Sequence, residues 1–360
     1  MFLKIIHTAD LHLDSKMESN LSIKQANMRK NELRENFSRL IEQAKMLGVE
    51  VILIAGDLFD KVVVSKKVKQ FVLEQIGDNP EIQFIYIYGN HDLGVFDKEE
   101  NLPHNLTIFG KEWGYKTIKN VCFAGVTIEK NVYEPLFDKL YLSKDKINIV
   151  LLHGEMLKSN ASSVDYGINT KLVKNKNINY LALGHIHKCI FDNIDDGTQC
   201  VYCGALEGRG FDECGEKGFV LIDIKNDKIN ANFIPFAKRR FYVVDVDIDA
   251  QDTQHEVYSK VLEKTKEFSS QDALKIILNG EVELGSVRDL DYLTHALSQK
   301  FFFVKVIDKC RVKIDIESLK GDMTLAGEFI RKVMDSKELD DQEKNKIIRC
   351  GLSALDGDEV

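Results

Sequence analysis

"NYLALGHIHK", Asn179 to Lys188, is the stretch on which the reading of this chain turns. A short apolar run stops at Gly184, and two histidines follow with one residue between them. Residues two apart in an extended chain face the same side, so His185 and His187 point together. They could be two ligands of one metal, ligands of two metals, or unrelated side chains. The ends of the other strands decide.

Outward from that run, the first half of the chain alternates strands and helices. "LKIIHTA" and "VEVILIAG" are near-continuous apolar runs, as strands covered on both faces require. Between them Leu33, Phe37, Leu40, Ile41, Ala44 and Leu47 recur at helical spacing. "EIQFIYIYG" reads as a third strand after a helix through Val68, Phe71, Val72 and Ile76, and "KINIVLLHG" and "INYLALGHIH" as two more. The rhythm then changes to the closely spaced strands "TQCVYCG", "KGFVLIDIK" and "KINANFIPF", with "KNDK" as a turn. This is a mixed α/β (α+β) pattern, two sheets flanked by helices.

A boundary is expected near "FAKRRFY", residues 236–242, dividing a domain at 1–238 from a unit at 239–315. In the latter, "FYVVDVDI", a helix around 253–268, "DALKIILNGEVEL", a helix around 288–299 and "KFFFVKVID" spell β-α-β-α-β. Residues 316–360 read as a helical tail with Phe329, Ile330 and Val333 on one face.

At 44% hydrophobic and 29% charged, the composition is that of a soluble globular protein. No apolar run approaches the roughly 20 residues that span a bilayer, and "MFLKIIHTAD" lacks the basic start and cleavage site of a signal peptide. A cytoplasmic location and no membrane partner are expected. The 7 cysteines read as free thiols. A zinc site at Cys189, Cys200, Cys203 and Cys214 is conceivable, but Cys200 and Cys203 would face opposite sides of a strand. The net charge of −8 lies in residues 241–360, with 17 Lys+Arg against 25 Asp+Glu, while the first 240 residues balance. This argues against a stand-alone nucleic-acid binder, though not against a nuclease with an assisting subunit. The short runs "KKVKQ" (66–70) and "AKRR" (237–240) could touch phosphates, but such runs are usually solvated faces.

Metal-binding residues recur where apolar strands stop: Asp10 and His12 in "HTADLHLD", Asp57 and Asp60 in "LIAGDLFD", Asn90, His91 and Asp92 in "IYGNHD", His153 in "LLHGE", and the opening pair. Ligands at the carboxyl ends of neighbouring strands converge in the crevice beyond them. One His or Asp at a strand end is ordinarily a cap or a loop residue, and "GNHD" alone could be a turn. Five such clusters in order make coincidence a poor account. Asp10, His12, Asp57, Asn90, His153, His185 and His187 are too many donors for one ion, and two ions sharing a carboxylate fit better. Carboxylate, amide and imidazole without thiolate suit Mn2+, Fe2+ or Zn2+. Two such ions polarise a phosphoryl oxygen and supply hydroxide at neutral pH.

The ordered set "DLH", "GDLFD", "GNHD", a lone His after a strand and "GHIH" resembles the calcineurin-like metallophosphoesterases, over residues 1 to about 190. Within them the chain is most similar to bacterial SbcD-type DNA repair exonucleases. "HTADLHLD" opens like that branch. "YCGALEGRGFDECGEKG" resembles its glycine-rich loop, commonly "YPGS", although Cys203 and Ala205 replace its Pro and Ser. The β-α-β-α-β unit is similar to its capping domain.

The resemblance implies a four-layer αββα sandwich with a small C-terminal capping domain. It implies one metal held by Asp10, His12, Asp57 and His187. The second is held by Asp57, Asn90, His153 and His185, with Asp57 bridging. The ions are Mn2+ first, with Fe2+, Zn2+ or Mg2+ as alternatives. His91 then protonates the leaving oxygen or stabilises its charge. Asp60 orients the catalytic His, Arg209 touches substrate, and Asp92 is a helix cap or a support for its neighbours. The function implied is two-metal exo- and endonucleolytic cleavage of DNA in double-strand break repair, with an SbcC-like coiled-coil ATPase as partner. A homodimer is a further assembly found in the family. The alternatives are a phosphodiesterase acting on a small molecule such as a cyclic nucleotide, and an architectural subunit.

Overall fold

The computed structural model describes residues 2–17, 21–130, 134–158, 164–283, 289–313, 321, 323–336 and 338–355. They fall into two compact units. One comprises residues 1–242 with the short return 271–273, and the other residues 243–270 and 274–360. The first thus runs a few residues beyond 238 and recovers a segment from inside the expected second domain. The expected boundary between 315 and 316 lies outside the described residues.

The first unit runs β1 (Phe2–Thr8), α1 (Ile23–Leu47), β2 (Val51–Ala55), α2 (Lys66–Gly77), β3 (Gln83–Ile87), β4 (Leu106–Phe109), β5 (Gly114–Ile118) and β6 (Val121–Gly125). It continues with α3 (Glu134–Asp138), β7 (Ile147–His153), β8 (Glu155–Leu157), β9 (Gly167–Asn169), α4 (Thr170–Val173) and β10 (Tyr180–Gly184). Its last four strands are β11 (Ile190–Asp195), β12 (Thr198–Tyr202), β13 (Gly218–Lys225) and β14 (Lys228–Pro235). Helix α1 starts where Ser22 and Gln25 form a reciprocal cap and stops at Gly48, which takes the left-handed φ of 68°. The "KNDK" turn joins β13 to β14 with Asn226 and Asp227 at φ 51° and 60°, the positive pair that a tight hairpin needs.

Two six-stranded sheets result, ordered β14-β13-β1-β2-β3-β4 and β11-β12-β10-β7-β6-β5. In the first, β1, β2, β3 and β4 are parallel neighbours. In the second, β6, β7, β10 and β12 are. Alternate residues of each strand enter different cores. Leu3, Ile5, Leu53, Ile85, Ile149, Leu151 and Ala182 pack between the sheets. Ile6, Ile52, Ile54 and Phe84 pack outward with Phe37, Leu40 and Val72 of the helices. Val150, Leu152 and Leu181 face outward on the other side, where Phe137 and Val173 cover them. The layers are therefore helix, sheet, sheet, helix. Cys200 packs in the outer core and Cys203 between the sheets, so the C-x-x-C pair faces opposite ways. All seven cysteines are free.

The second unit holds β15 (Phe241–Ile248, whose first two residues belong to the first unit), α5 (Gln254–Lys264), β16 (Ala273–Glu283), α6 (Leu290–Ser298), β17 (Phe303–Asp308) and β18 (Arg311–Lys313). Its sheet is ordered β15-β16-β17, with β18 paired to β16. Helices α7 (Leu325–Met334) and α8 (Asp341–Leu355) follow, joined through Ile330, Ile348 and Leu352. Among the described residues no helix is long and apolar enough to cross a membrane.

Candidate metal centre

Every expected ligand lies at the carboxyl end of a parallel strand or on the loop just beyond it. Asp10 and His12 follow β1, Asp57 follows β2, Asn90 and His91 follow β3, His153 ends β7, and His185 and His187 follow β10. The loops after β1 and β2 run side by side, with Asp10 N–H on Gly56 O (3.1 Å), His12 N–H on Asp57 O (3.0 Å) and Leu13 N–H on Leu58 O (2.9 Å). To turn their side chains inward, Asp10, His12, Asp57 and His185 all adopt positive φ, at 53°, 46°, 51° and 91°. Such backbone costs about 1 kcal/mol or more per non-glycine residue and gathers at functional sites. Gly184 permits the close approach of the two sheets, since a Cβ there would lie 2.1 Å from Ala55 O.

The donors form overlapping groups: Asp10, His12 and His187; Asp10, Asp57 and His153; and His12, Asp60 and His91. Within the first, His12 Nε2 lies 3.2 Å from His187 Nε2, and His187 Nε2 lies 3.7 Å from Asp10 Oδ1. Around His153, Asn90 Oδ1 lies 2.9 Å from His153 Nε2 and 3.1 Å from His185 Nδ1. Asp57 Oδ2 lies 3.8 Å from His12 Nε2 and 3.4 Å from His153 Nε2. Ligands of one ion at bond lengths of about 2.0–2.2 Å sit roughly 3–4 Å apart, which is this spacing.

The tautomers sharpen the fit. His12 Nδ1 faces Asp60 Oδ1 at 3.2 Å and His187 Nδ1 faces Glu213 Oε1 at 2.8 Å. Glu213 holds hydrogen on His187 Nδ1 by a hydrogen bond. The Asp60 charge favours the same tautomer of His12 from 3.2 Å, although His12 Nδ1 makes no aligned hydrogen bond. In these tautomers two lone-pair nitrogens confront each other at the 3.2 Å Nε2 contact. A cation between them converts that repulsion into coordination. His153 likewise donates from Nδ1 to Ala55 O (2.8 Å) and presents Nε2.

The charges agree with a cation site. Burial opposes the Asp57 charge, but His153 and then His12 outweigh it and hold the carboxyl well below the usual range. Burial would depress His153, and Asp57 instead lifts it to about 9. Glu213 is opposed by burial yet drawn down to about 2 by His187 and Arg209. Asp57 is thus held ionised, the form that binds metal.

His91 sits at the exposed mouth. Its N–H donates to Asp57 Oδ1 (2.9 Å), and its Nδ1 meets the backbone carbonyl of Asp60 (3.1 Å). The Asp60 carboxylate, expected behind the catalytic His, instead faces His12 and accepts from Arg209 Nη1 at 2.6 Å. Arg209, expected at substrate, also donates to Glu213 from Nε (3.1 Å) and Nη2 (2.9 Å). Asp92 caps no helix, because turns follow it. It is fully buried and accepts from Phe59 N–H (3.1 Å), Tyr86 O–H (2.5 Å) and Gly89 N–H (2.8 Å), tying the loop after β2 to the loop after β3. Burial, and then the Asp57 charge, push its carboxyl up to about 6.

Sequence reasoning missed Glu213, 26 positions beyond the imidazole it supports, in a loop with no spacing signal. It also read "AKRR" as solvated. Arg239 is buried and pairs with Glu32 at 2.5 Å, while Lys238 and Arg240 pair with Glu35 and Glu216.

Residues 3–189 match the calcineurin-like phosphoesterase family. The chain belongs to that family. It is 25% identical to the DNA double-strand break repair protein Mre11 of Haloferax volcanii, over 99% of this chain and 77% of the relative. The Mre11 of Sulfolobus acidocaldarius is 26% identical over 78% of this chain and 75% of its own length. The uncharacterized metallophosphoesterase YhaO of Bacillus subtilis is 29% identical over 64% of this chain, and the match spans only 60% of that relative. Among solved structures, TT1561 of Thermus thermophilus aligns at 16% identity and a TM-score of 0.44, covering 65% of this chain and 99% of its own. A dimetal phosphatase from Danio rerio aligns at 10% identity and 0.45, covering 64% of this chain and 95% of its own.

Proposed function

We propose that this member of the calcineurin-like phosphoesterase family is a two-metal, SbcD-like DNA exo- and endonuclease of double-strand break repair, working with a coiled-coil ATPase. The observation that carries the DNA reading is the extent of the similarity to the Haloferax Mre11. It spans 99% of the chain and so takes in the second unit as well as the metal centre.

In this reading Asp10, His12, Asp57 and His187 hold one divalent ion, and Asp57, Asn90, His153 and His185 hold the other, with Mn2+ the first candidate. Bound there, two ions polarise the phosphoryl oxygens and acidify water at neutral pH. The rest is work for the chain's own residues. The contact from His91 N–H to Asp57 Oδ1 fixes the backbone that carries the catalytic imidazole. The Asp60 carbonyl keeps hydrogen on His91 Nδ1, which leaves Nε2 as the ring atom for substrate. Protonated at Nε2, His91 hands a proton to the leaving oxygen as the phosphodiester bond breaks. Asp60 and Glu213 hold the rings of His12 and His187.

The second reading is a small-molecule phosphodiesterase. The similarity to YhaO leaves the substrate open, and the metal donors serve either substrate equally. The test compares Mn2+-dependent hydrolysis of linear duplex DNA, a cyclic nucleotide and an aryl phosphodiester, with EDTA as control. Degradation of DNA ends supports the nuclease reading. Turnover of the cyclic nucleotide with the DNA intact sinks it.

A further inference from the structure

The loop between β12 and β13 connects the two imidazoles of one candidate metal site through a single guanidinium. Arg209 Nη1 donates to Asp60 Oδ1 at 2.6 Å. Its Nε and Nη2 donate to Glu213 Oε1 at 3.1 and 2.9 Å, and its backbone N–H donates to Glu213 Oε2 at 3.0 Å. Each carboxylate faces the Nδ1 of a different ring: Asp60 that of His12 at 3.2 Å, Glu213 that of His187 at 2.8 Å. The chain His12–Asp60–Arg209–Glu213–His187 then closes on itself at the 3.2 Å approach of the two Nε2 atoms.

The other two imidazoles are placed differently. His153 Nδ1 donates to the Ala55 carbonyl, a neutral support. His185 turns its Nδ1 toward Asn90 Oδ1, a fellow candidate donor, so that contact is no support behind the ring. A carboxylate behind an imidazole raises its basicity as a ligand, and a neutral oxygen does so less.

We propose that Arg209 is a positioning residue. It clamps Asp60 and Glu213 behind His12 and His187, and so makes the Asp10–His12–His187 site the tighter of two divalent-cation sites. This rests on the two-metal reading of the centre and is independent of DNA as the substrate. The residue type matters. A guanidinium presents five donors in a rigid planar fork and can span two carboxylates, whereas an ammonium is a point charge on a flexible stem. Without the clamp, Asp60 and the largely buried Glu213 repel each other across the gap. The loop has a second anchor that does not involve Arg209. Glu207 accepts from Arg29 Nη2 (3.0 Å), from Arg239 N–H (3.2 Å) and from the Asn36 amide. Loss of the clamp therefore leaves the loop attached.

The test is Mn2+ titration of the full chain by calorimetry and electron paramagnetic resonance, without substrate, for wild type, Arg209→Gln and Arg209→Lys. Wild type should bind two equivalents of unequal affinity. Arg209→Gln should weaken the tighter equivalent by about 10–100-fold and leave the weaker one within a few-fold. Arg209→Lys should restore only part of this. At saturating Mn2+ the KM for an aryl phosphodiester should not change. Should Arg209→Gln fail to fold, Glu213→Gln keeps an acceptor for His187 without the charge and should shift the same equivalent. Unchanged Mn2+ binding with a raised KM overturns the proposal and makes Arg209 a substrate contact. Equal wild-type affinities, or equal weakening of both equivalents, also overturn it. A wild type that binds no divalent ion overturns this proposal and the two-metal reading together, whereas intact DNA with two unequal equivalents overturns only the nuclease reading.

Discussion

Replacing Asp92 tests whether the metal loops are held by a buried carboxylate or merely by their own turns. Asp92 Oδ2 accepts from Phe59 N–H at 3.1 Å and Tyr86 O–H at 2.5 Å, and Oδ1 accepts from Gly89 N–H at 2.8 Å. Asp92→Ala strips the partner from three donors at a fully buried position. Each buried donor left unpaired costs about 1–3 kcal/mol, so the loss from three should be about 3–9 kcal/mol. That is a large part of the roughly 5–15 kcal/mol that holds a typical domain. Asp92→Asn should behave differently. Its oxygen can keep the Phe59 and Tyr86 bonds while its amide group turns toward Gly89, so one donor is lost. Burial penalises the Asp92 charge, and the neutral amide removes that penalty. Asp92→Asn should therefore cost no more than about 2 kcal/mol. Urea unfolding at pH 7 in EDTA measures both. Since Phe59 and Gly89 flank the segments carrying Asp57 and Asn90, Asp92→Ala should also weaken Mn2+ binding. An Ala variant within about 1 kcal/mol of wild type refutes the reasoning, as does an Asn variant as unstable as the Ala one.

Three further outcomes follow from named contacts. His91→Ala should lower turnover by about 10²–10⁴-fold while both Mn2+ equivalents still bind, because His91 touches no ion in this reading; loss of an equivalent in the titration would make it a ligand. Gly184→Ala places a Cβ 2.1 Å from Ala55 O and 2.8 Å from His153 Nδ1. It should cost about 1–3 kcal/mol or more in thermal unfolding and weaken metal binding on the His153 side, and a neutral effect on both would contradict the close approach of the sheets. His7 lies between the sheets against Tyr180, and burial lowers its pKa to about 3. The unfolded chain takes up that proton first, so stability falls as pH drops from about 6.5 toward 3, by about 1.4 kcal/mol per pH unit. The gap between wild type and His7→Asn in urea unfolding should therefore shift against wild type by about 2 kcal/mol from pH 7 to pH 5, and a constant gap would contradict a neutral buried His7.

Apolar strands that stop at His, Asp or Asn are legible because both signals are local. The strand run and the donor lie within a few residues, and parallel strands carry all such ends to one crevice. The alternation behind α1, α2 and β1 to β3 was legible for the same reason. The short edge strands β4, β5, β8, β9 and β11 were not. Their residues are half exposed and show no apolar run, and pairing with a distant neighbour is what makes them strands.

Side-chain type and the ends of the apolar runs mark the candidate metal donors and their place at strand ends. Tertiary structure alone decided their partners. Asp60 follows Asp57 closely, yet its carboxylate turns to His12 and Arg209, while only its carbonyl meets His91. Glu213 supports His187 because the loop after β12 is anchored on α1 through Glu207, a placement no local pattern encodes. Asp92, expected as a helix cap or a support for its neighbours, caps no helix and ties two loops together, because the fold closes over it and leaves three donors with no water to bond. Ligand identity follows from side-chain chemistry, which is written residue by residue. Support follows from which side chains the packed core brings within about 3 Å of one another, and that is a property of the whole fold.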